Sequence, residues 1–183
     1  KASLLRELYH RTAEVLAGIR AVANVASRVD KAKEALVARL KGWSVEEIEL
    51  HLARGYPAYW LSEDTETQLR HAEFVRRAVR AGEQIAIDTR VDPKRSVTEI
   101  TIYTPDHAGL FSRIAGAMAL SRANIVDARI FTFTNGWALD SFFVQDIEGN
   151  PLADSETLER LRKRITAALS GTLTQTRLSG LGM

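Results

Sequence analysis

Residues Thr104 to Phe131, TPDHAGLFSRIAGAMALSRANIVDARIF, constrain this chain more than any other stretch, because they set a strand end, a glycine turn, a helix and a second strand in direct succession. The run leading into them alternates Thr98, Ile100 and Ile102 with Val97, Glu99, Thr101 and Tyr103, the period-two pattern of a strand with two distinct faces. Pro105 has no N–H to donate and ends the pairing. Gly109 can adopt dihedrals closed to other residues and lets a small molecule come close to the backbone, while Leu110, Ile114, Ala117, Met118 and Ser121 recur at helical spacing behind it. The turn is therefore expected to present free N–H groups at a helix start, a partly positive terminus suited to a carboxylate or another anion.

Around this stretch the chain changes character once. The first eighty residues are helical in pattern: Leu4, Leu5, Leu8, Thr12, Val15, Leu16, Ile19 and Val22 line one stripe of a long helix, and Ala32, Ala35, Leu36 and Leu40 line a second that Gly42 ends. Ser44 and Glu47 have capping-box spacing for a short third helix, with Val45, Ile48 and Leu52 facing inward and Gly55 and Pro57 stopping it. Thr65 and Gln68 suggest the cap of a fourth helix carrying Leu69, Ala72, Val75 and Val79 and closed by Gly82. β-branched alternation follows, so the domain boundary is placed near Gly82, giving a helical segment over 1–82 and an α+β domain over 83–183.

Ile85, Ile87 and Thr89 form a short strand, spanning about 84–90, that turns at Asp92 and Pro93 into Val97. Asn124 to Thr134 and Trp137 to Ile147 are two more strands joined by the hairpin signal Asn135-Gly136, and Leu158, Leu161, Ile165, Ala168 and Leu169 mark a last helix. In such a sheet Ile100, Ile102, Val126, Ala128, Ile130, Phe142 and Val144 face the helices, each large side chain contributing about 1.5 to 3 kcal/mol when fully buried. Tyr103, Ile125, Phe131, Phe133 and Phe143 fall on the other face, which is too apolar for a solvated surface; the helical segment or a second subunit is expected to cover it.

The turn residues allow a specific chemistry. Asp106 can hold the α-amino group of an amino acid while the N–H groups of Gly109 and Leu110 take its carboxylate and Asn124 offers a donor and an acceptor. Equally, Asp106 can simply start the turn, Gly109 supply its dihedrals and Asn124 open a strand. Other chemistries find less support. There is no cysteine, so thiolate metal sites and thiol nucleophiles are excluded. Asp64 and Glu66 have the D-x-E spacing of a Mg²⁺ site, but no phosphate loop precedes them and carboxylates at a helix start are what capping favours. His10, His51, His71 and His107 lack metal-ligand spacing, and His71 is expected on a helix surface or interface. Arg76, Arg77 and Arg80 suit the end of a helix. A formal charge of +2 implies no nucleic-acid partner, and no run reaches the length of a membrane span. Lys1 opens directly inside a helical pattern, so the chain is read as a piece of a longer cytoplasmic protein.

Asp106, Gly109, Leu110 and Asn124 reproduce the turn signature of the ACT domain, and from Val97 to about Ser170 the chain resembles that βαββαβ ligand-binding module of amino-acid metabolism, with Ala108 where the family commonly has proline. The words YTPDHAGLFSRIAGAMA and ANIVDARIFTFTNGWALDSFFVQDIEGNP, with KASLLRELYHRTAEVL and AYWLSEDTETQLRHAEFV upstream, resemble more narrowly the bacterial PII uridylyltransferase/uridylyl-removing enzymes, over the linker helices after their HD domain and the first of two ACT domains. The resemblance implies a parent that uridylylates the PII signalling protein with UTP and Mg²⁺ when glutamine is scarce and removes the modification when glutamine is plentiful. It places both active sites outside this chain. It implies a non-catalytic role in nitrogen regulation for the segment itself, with no cofactor of its own: allosteric glutamine sensing, with a second ACT domain and the catalytic domains as partners, and room for a homodimer formed through ACT domains. A purely structural ACT pairing module, or the regulatory segment of another amino-acid enzyme, are the alternatives. A complete ACT unit needs a fourth strand beside its first; only Thr172 to Leu178 remains for it, so Ile85 to Thr89 is expected to pair with Val97 to Tyr103 on that edge.

Overall fold

The computed structural model describes residues 21–179, with the backbone alone over 172–179. The stripe from Leu4 to Ile19 lies outside the described residues. Helix α1 is continuous over 21–37, so Val22 and the positions Ala32 to Leu36 share one helix rather than two. Paired turns at 38–39 and 41–42 follow, with Gly42 at φ +72°.

Ser44 caps α2 (Val45–Arg54) through the expected capping box: its hydroxyl accepts the Glu47 N–H and the Glu47 carboxylate accepts the Ser44 N–H. The inward face of α2 differs from the expectation. Val45 is exposed, and the buried residue is His51, packed edge-on to the Trp43 and Trp60 rings. Pro57 opens α3 (Pro57–Ser62), where a missing N–H costs nothing. The cap of α4 (Thr65–Ala81) is Asp64, whose carboxylate accepts the Thr67 N–H at 2.7 Å, and not Thr65. Gln68 is buried instead, donating to the carbonyls of Trp60 and Glu63. His71, expected at a surface or interface, is buried with Nδ1 at 3.4 Å from the Tyr59 hydroxyl. Gly82, at φ +66°, ends α4 as expected: the Gly82 and Glu83 amides return to the Val79 and Ala78 carbonyls. The chain divides into two compact units, up to Glu73 and from Phe74 onward, the division falling within α4.

In the second unit the order is β1 (Ala86–Asp92), β2 (Val97–Pro105), α5 (Leu110–Leu120), β3 (Asn124–Thr132), β4 (Trp137–Gln145) and α6 (Ser155–Ser179). The four strands form one antiparallel sheet ordered β1-β2-β4-β3. The expected pairing of the extra strand is present, with Ala86 opposite Tyr103 and Asp92 opposite Val97. The element order is thus ββαββα among the described residues, not βαββαβ, and the stretch Thr172 to Leu178 continues α6 as helix. A local hairpin closes its ladder at a lower loop entropy than a strand returning from beyond a long helix.

Ile100, Ile102, Phe142 and Val144 form one core with Leu110, Ile114 and Met118 of α5 and Leu161, Ile165 and Leu169 of α6. On β3 the alternation slips. A bulge between Ile125 and Asp127 turns Ile125 toward this core and leaves Val126 exposed, the reverse of the strict two-residue pattern. Ile130, on the same edge strand, is also exposed. On the second sheet face Tyr103, Leu139, Phe133 and Phe143 are buried and Phe131 is half-buried, so these apolar side chains are not exposed together. Glu99 on that face is paired with Arg90 at 3.0 Å, and the Arg95 and Arg129 guanidinium groups lie over the Phe143 ring.

Candidate functional site

Pro105 closes β2 opposite Trp137, and the chain leaves the sheet through Asp106, His107, Ala108 and Gly109. The turn is fastened to the β3–β4 hairpin: the Asp106 N–H donates to the Gly136 carbonyl at 2.9 Å, and the Thr132 hydroxyl donates to the Asp106 carboxylate at 2.8 Å. Gly136 sits at φ +75° in the Asn135-Gly136 turn that the sequence marked. Gly109 takes φ +82° and stands at the cap position of α5, which starts without a side-chain cap. A Cβ at Gly109 would meet nothing within 4 Å, so the space in front of the turn is open.

Two of the four residues singled out from sequence differ from the simplest expectation. The Leu110 N–H is not free; it donates to the His107 carbonyl at 3.1 Å, and the Leu110 side chain is buried in the core. Asn124 opens β3 opposite Gln145, whereas Thr132, which touches Asp106, closes the same strand opposite Ala138. They stand eight positions apart along the strand, about 26 Å at the usual rise. The sheet therefore brings Asp106 and Gly109 together and holds Asn124 at its other end, where its amide donates to the Asp146 carbonyl.

Asp140 is a residue of this region that the sequence reading passed over. It lies on β4 between Ile102 and Ile130, on the face that carries Phe142 and Val144, and is 2% exposed. Burial pushes its carboxyl up to about 7; the Phe131 N–H opposes the shift and the Asp106 carboxylate adds to it. Its Oδ1 has no hydrogen-bond partner. The sequence did hold the signal: Ala138, Asp140, Phe142 and Val144 are spaced by two, which places a carboxyl on a core-facing row. The turn thus combines a helix start, an outer carboxylate and an inner carboxyl whose ionisation burial opposes, groups that can receive both ends of a small zwitterion.

Asp64 does what capping requires, and among the described residues no group of three or more carboxylate and imidazole side chains is placed to hold a metal ion. No described helix is long and apolar enough to cross a membrane.

No protein-family model matches the chain. Over 174 residues, 94% of its length, it is 48% identical to the bifunctional uridylyltransferase/uridylyl-removing enzyme of Azospirillum brasilense. It is 47% identical to that of Rhodospirillum rubrum and 48% to that of Gluconobacter oxydans over the same share. The chain spans 18% to 19% of the length of these relatives.

Proposed function

This chain is a relative of one segment of the bifunctional uridylyltransferase/uridylyl-removing enzymes, and from that premise we propose that it is a regulatory connector whose sheet unit is an ACT-type glutamine sensor. The observation that carries the reading is the open turn at Gly109, fastened by Asp106 to Thr132 and the hairpin and set at the start of a helix without a side-chain cap. The sheet order supports the ACT assignment, since β1 occupies the seat beside β2 that the last strand of a βαββαβ unit takes.

In this reading glutamine docks its carboxylate at the α5 start and its ammonium group near Asp106. Asn124, at the far end of β3, reaches a ligand only when it is presented by a neighbouring ACT domain. The catalytic machinery, with its UTP, Mg²⁺ and PII substrate, lies in other parts of the parent. The ligand acts by unequal affinity for two arrangements of the connector. Calorimetric titration with L-glutamine is the test, repeated on the full-length protein; heat of binding from the wild type that Gly109→Val abolishes is the expected result. Glutamine regulation that survives Gly109→Val in the full-length protein rejects the binding role of this turn.

A second reading, a pairing module without ligand, draws on the exposed apolar residues Val126 and Ile130 on edge strand β3 and Phe111 and Leu120 on α5. Binding of a second ACT domain without any glutamine response favours it.

A further inference from the structure

Asp140 combines three properties that a structural carboxyl does not need together. It is enclosed on a sheet row of apolar residues, its Oδ1 is left without a partner, and its charged neighbour is another acid, Asp106. A carboxyl kept only for stability is normally satisfied on both oxygens, because an orphaned buried acceptor costs about 1 to 3 kcal/mol. An isosteric apolar residue would avoid that cost. The other groups around it do not compensate: the neighbours in register are Ile102 and Ile130, and the one donor acting on the carboxyl is the Phe131 amide.

The surroundings are graded from outside to inside. Asp106 and Thr132 are exposed and hydrogen-bonded to each other, Gly109 faces open space, and Ile130 beside Asp140 is 46% exposed. The exposed Asp106 carboxylate and the enclosed Asp140 carboxyl thus lie near enough for the two acids to repel each other. Two neighbouring acids favour a cation with N–H groups to share between them.

Resting on the glutamine reading of this turn, we infer that Asp140 is the inner acceptor for the ligand's primary ammonium group, which donates to its Oδ1 while Asp106 holds the outer side. A bare ammonium group delivers several donors and one positive charge, which satisfies the orphaned oxygen and cancels the repulsion between the two carboxyls. The pair of acids therefore selects for amino acids over their deaminated analogues. It also couples binding to a proton. Asp140 is roughly half protonated near pH 7, and a cation favours its ionised form, so binding releases up to about half a proton to solvent.

The experiment is calorimetry on the full chain with L-glutamine and with glutaramic acid, which has the same carboxylate and carboxamide and no α-amino group. Titrations are run at pH 7 in two buffers of different ionisation enthalpy. The expected result is proton release with glutamine alone, about tenfold weaker binding of glutaramic acid, and loss of both differences in Asp140→Asn. Thermal melting of the variant checks that it folds, and the wild-type proton count needs no variant at all. Glutamine binding without proton release, or Asp140→Asn keeping the tenfold preference, overturns the inference and leaves the turn's glutamine role standing. Binding of neither compound by the wild type overturns the glutamine role and this inference with it.

Discussion

Gly109 and Gly55 show two different reasons for a glycine, and substitution separates them. At Gly109 the backbone is left-handed and a Cβ meets open space, so Gly109→Ala costs about 1 to 2 kcal/mol from the dihedral alone. At Gly55 the φ of −82° is ordinary, but a Cβ would come within 2.7 Å of the Trp60 indole nitrogen, which donates to the Gly55 carbonyl. Gly55→Ala should therefore change Trp60 fluorescence as it destabilises, and Gly109→Ala should destabilise without doing so; an unchanged Trp60 signal in Gly55→Ala rejects the contact. Asp140 supplies a pH test. Its folded value, raised from 3.8 to about 7, means that its contribution is full below the unfolded value and is lost as pH climbs to about 7. Asn cannot ionise, so Asp140→Asn should gain stability relative to the wild type between pH 4.5 and pH 8 in urea denaturation, and a constant difference across that range rejects the buried acid. Spacing made Gly109 legible from sequence. It also carried the signal for Asp140, which was hidden only because an acid in the run Leu139-Asp140-Ser141 resembles a solvated position until the row is assigned to a face.

Elements were legible where a local device defines them. The Ser44–Glu47 box, the Gly82 stop and the Asn135-Gly136 hairpin each act within a few residues, and each is in place. The cap of α4 moved by one residue to Asp64 because its carboxylate reaches the Thr67 amide, and Asp64→Ala is expected to cost about 1 kcal/mol in chemical denaturation. The misjudged faces have a different origin. A bulge changes parity, and nothing in the sequence of β3 announces one, so Ile125 and Val126 exchanged places. Ile125→Ala should cost more than Val126→Ala, the latter staying within about 0.5 kcal/mol; the opposite ranking would mean the register is wrong. On α2 the buried position fell to His51, an unexpected occupant for an aromatic niche between Trp43 and Trp60.

For the molecule as a whole, the buried groups His51 and Asp140 lie in different units and respond to acid in opposite directions. Burial, with Arg54 adding, lowers His51 from 6.5 to about 4, so the unit ending at Glu73 keeps its full stability above 6.5 and loses it as pH falls toward 4. The Asp140 contribution in the unit beginning at Phe74 grows over the same descent. Hydrogen exchange corrected for intrinsic rates should show protection falling in α2 and α3 between pH 6.5 and pH 4.5 relative to β2 and β4; parallel changes in both units would reject the assignment. The change from helical to alternating patterns near Gly82 was legible in the sequence, whereas the opposed acid responses depend on tertiary burial that no periodicity reports. A last consequence follows from β1 lying against β2 through seven matched residue pairs. Any strand arriving there from elsewhere must first evict Ala86–Asp92, so the flank of the sheet behaves as an occupied berth, and recruitment at that flank is gated by how readily its tenant peels away.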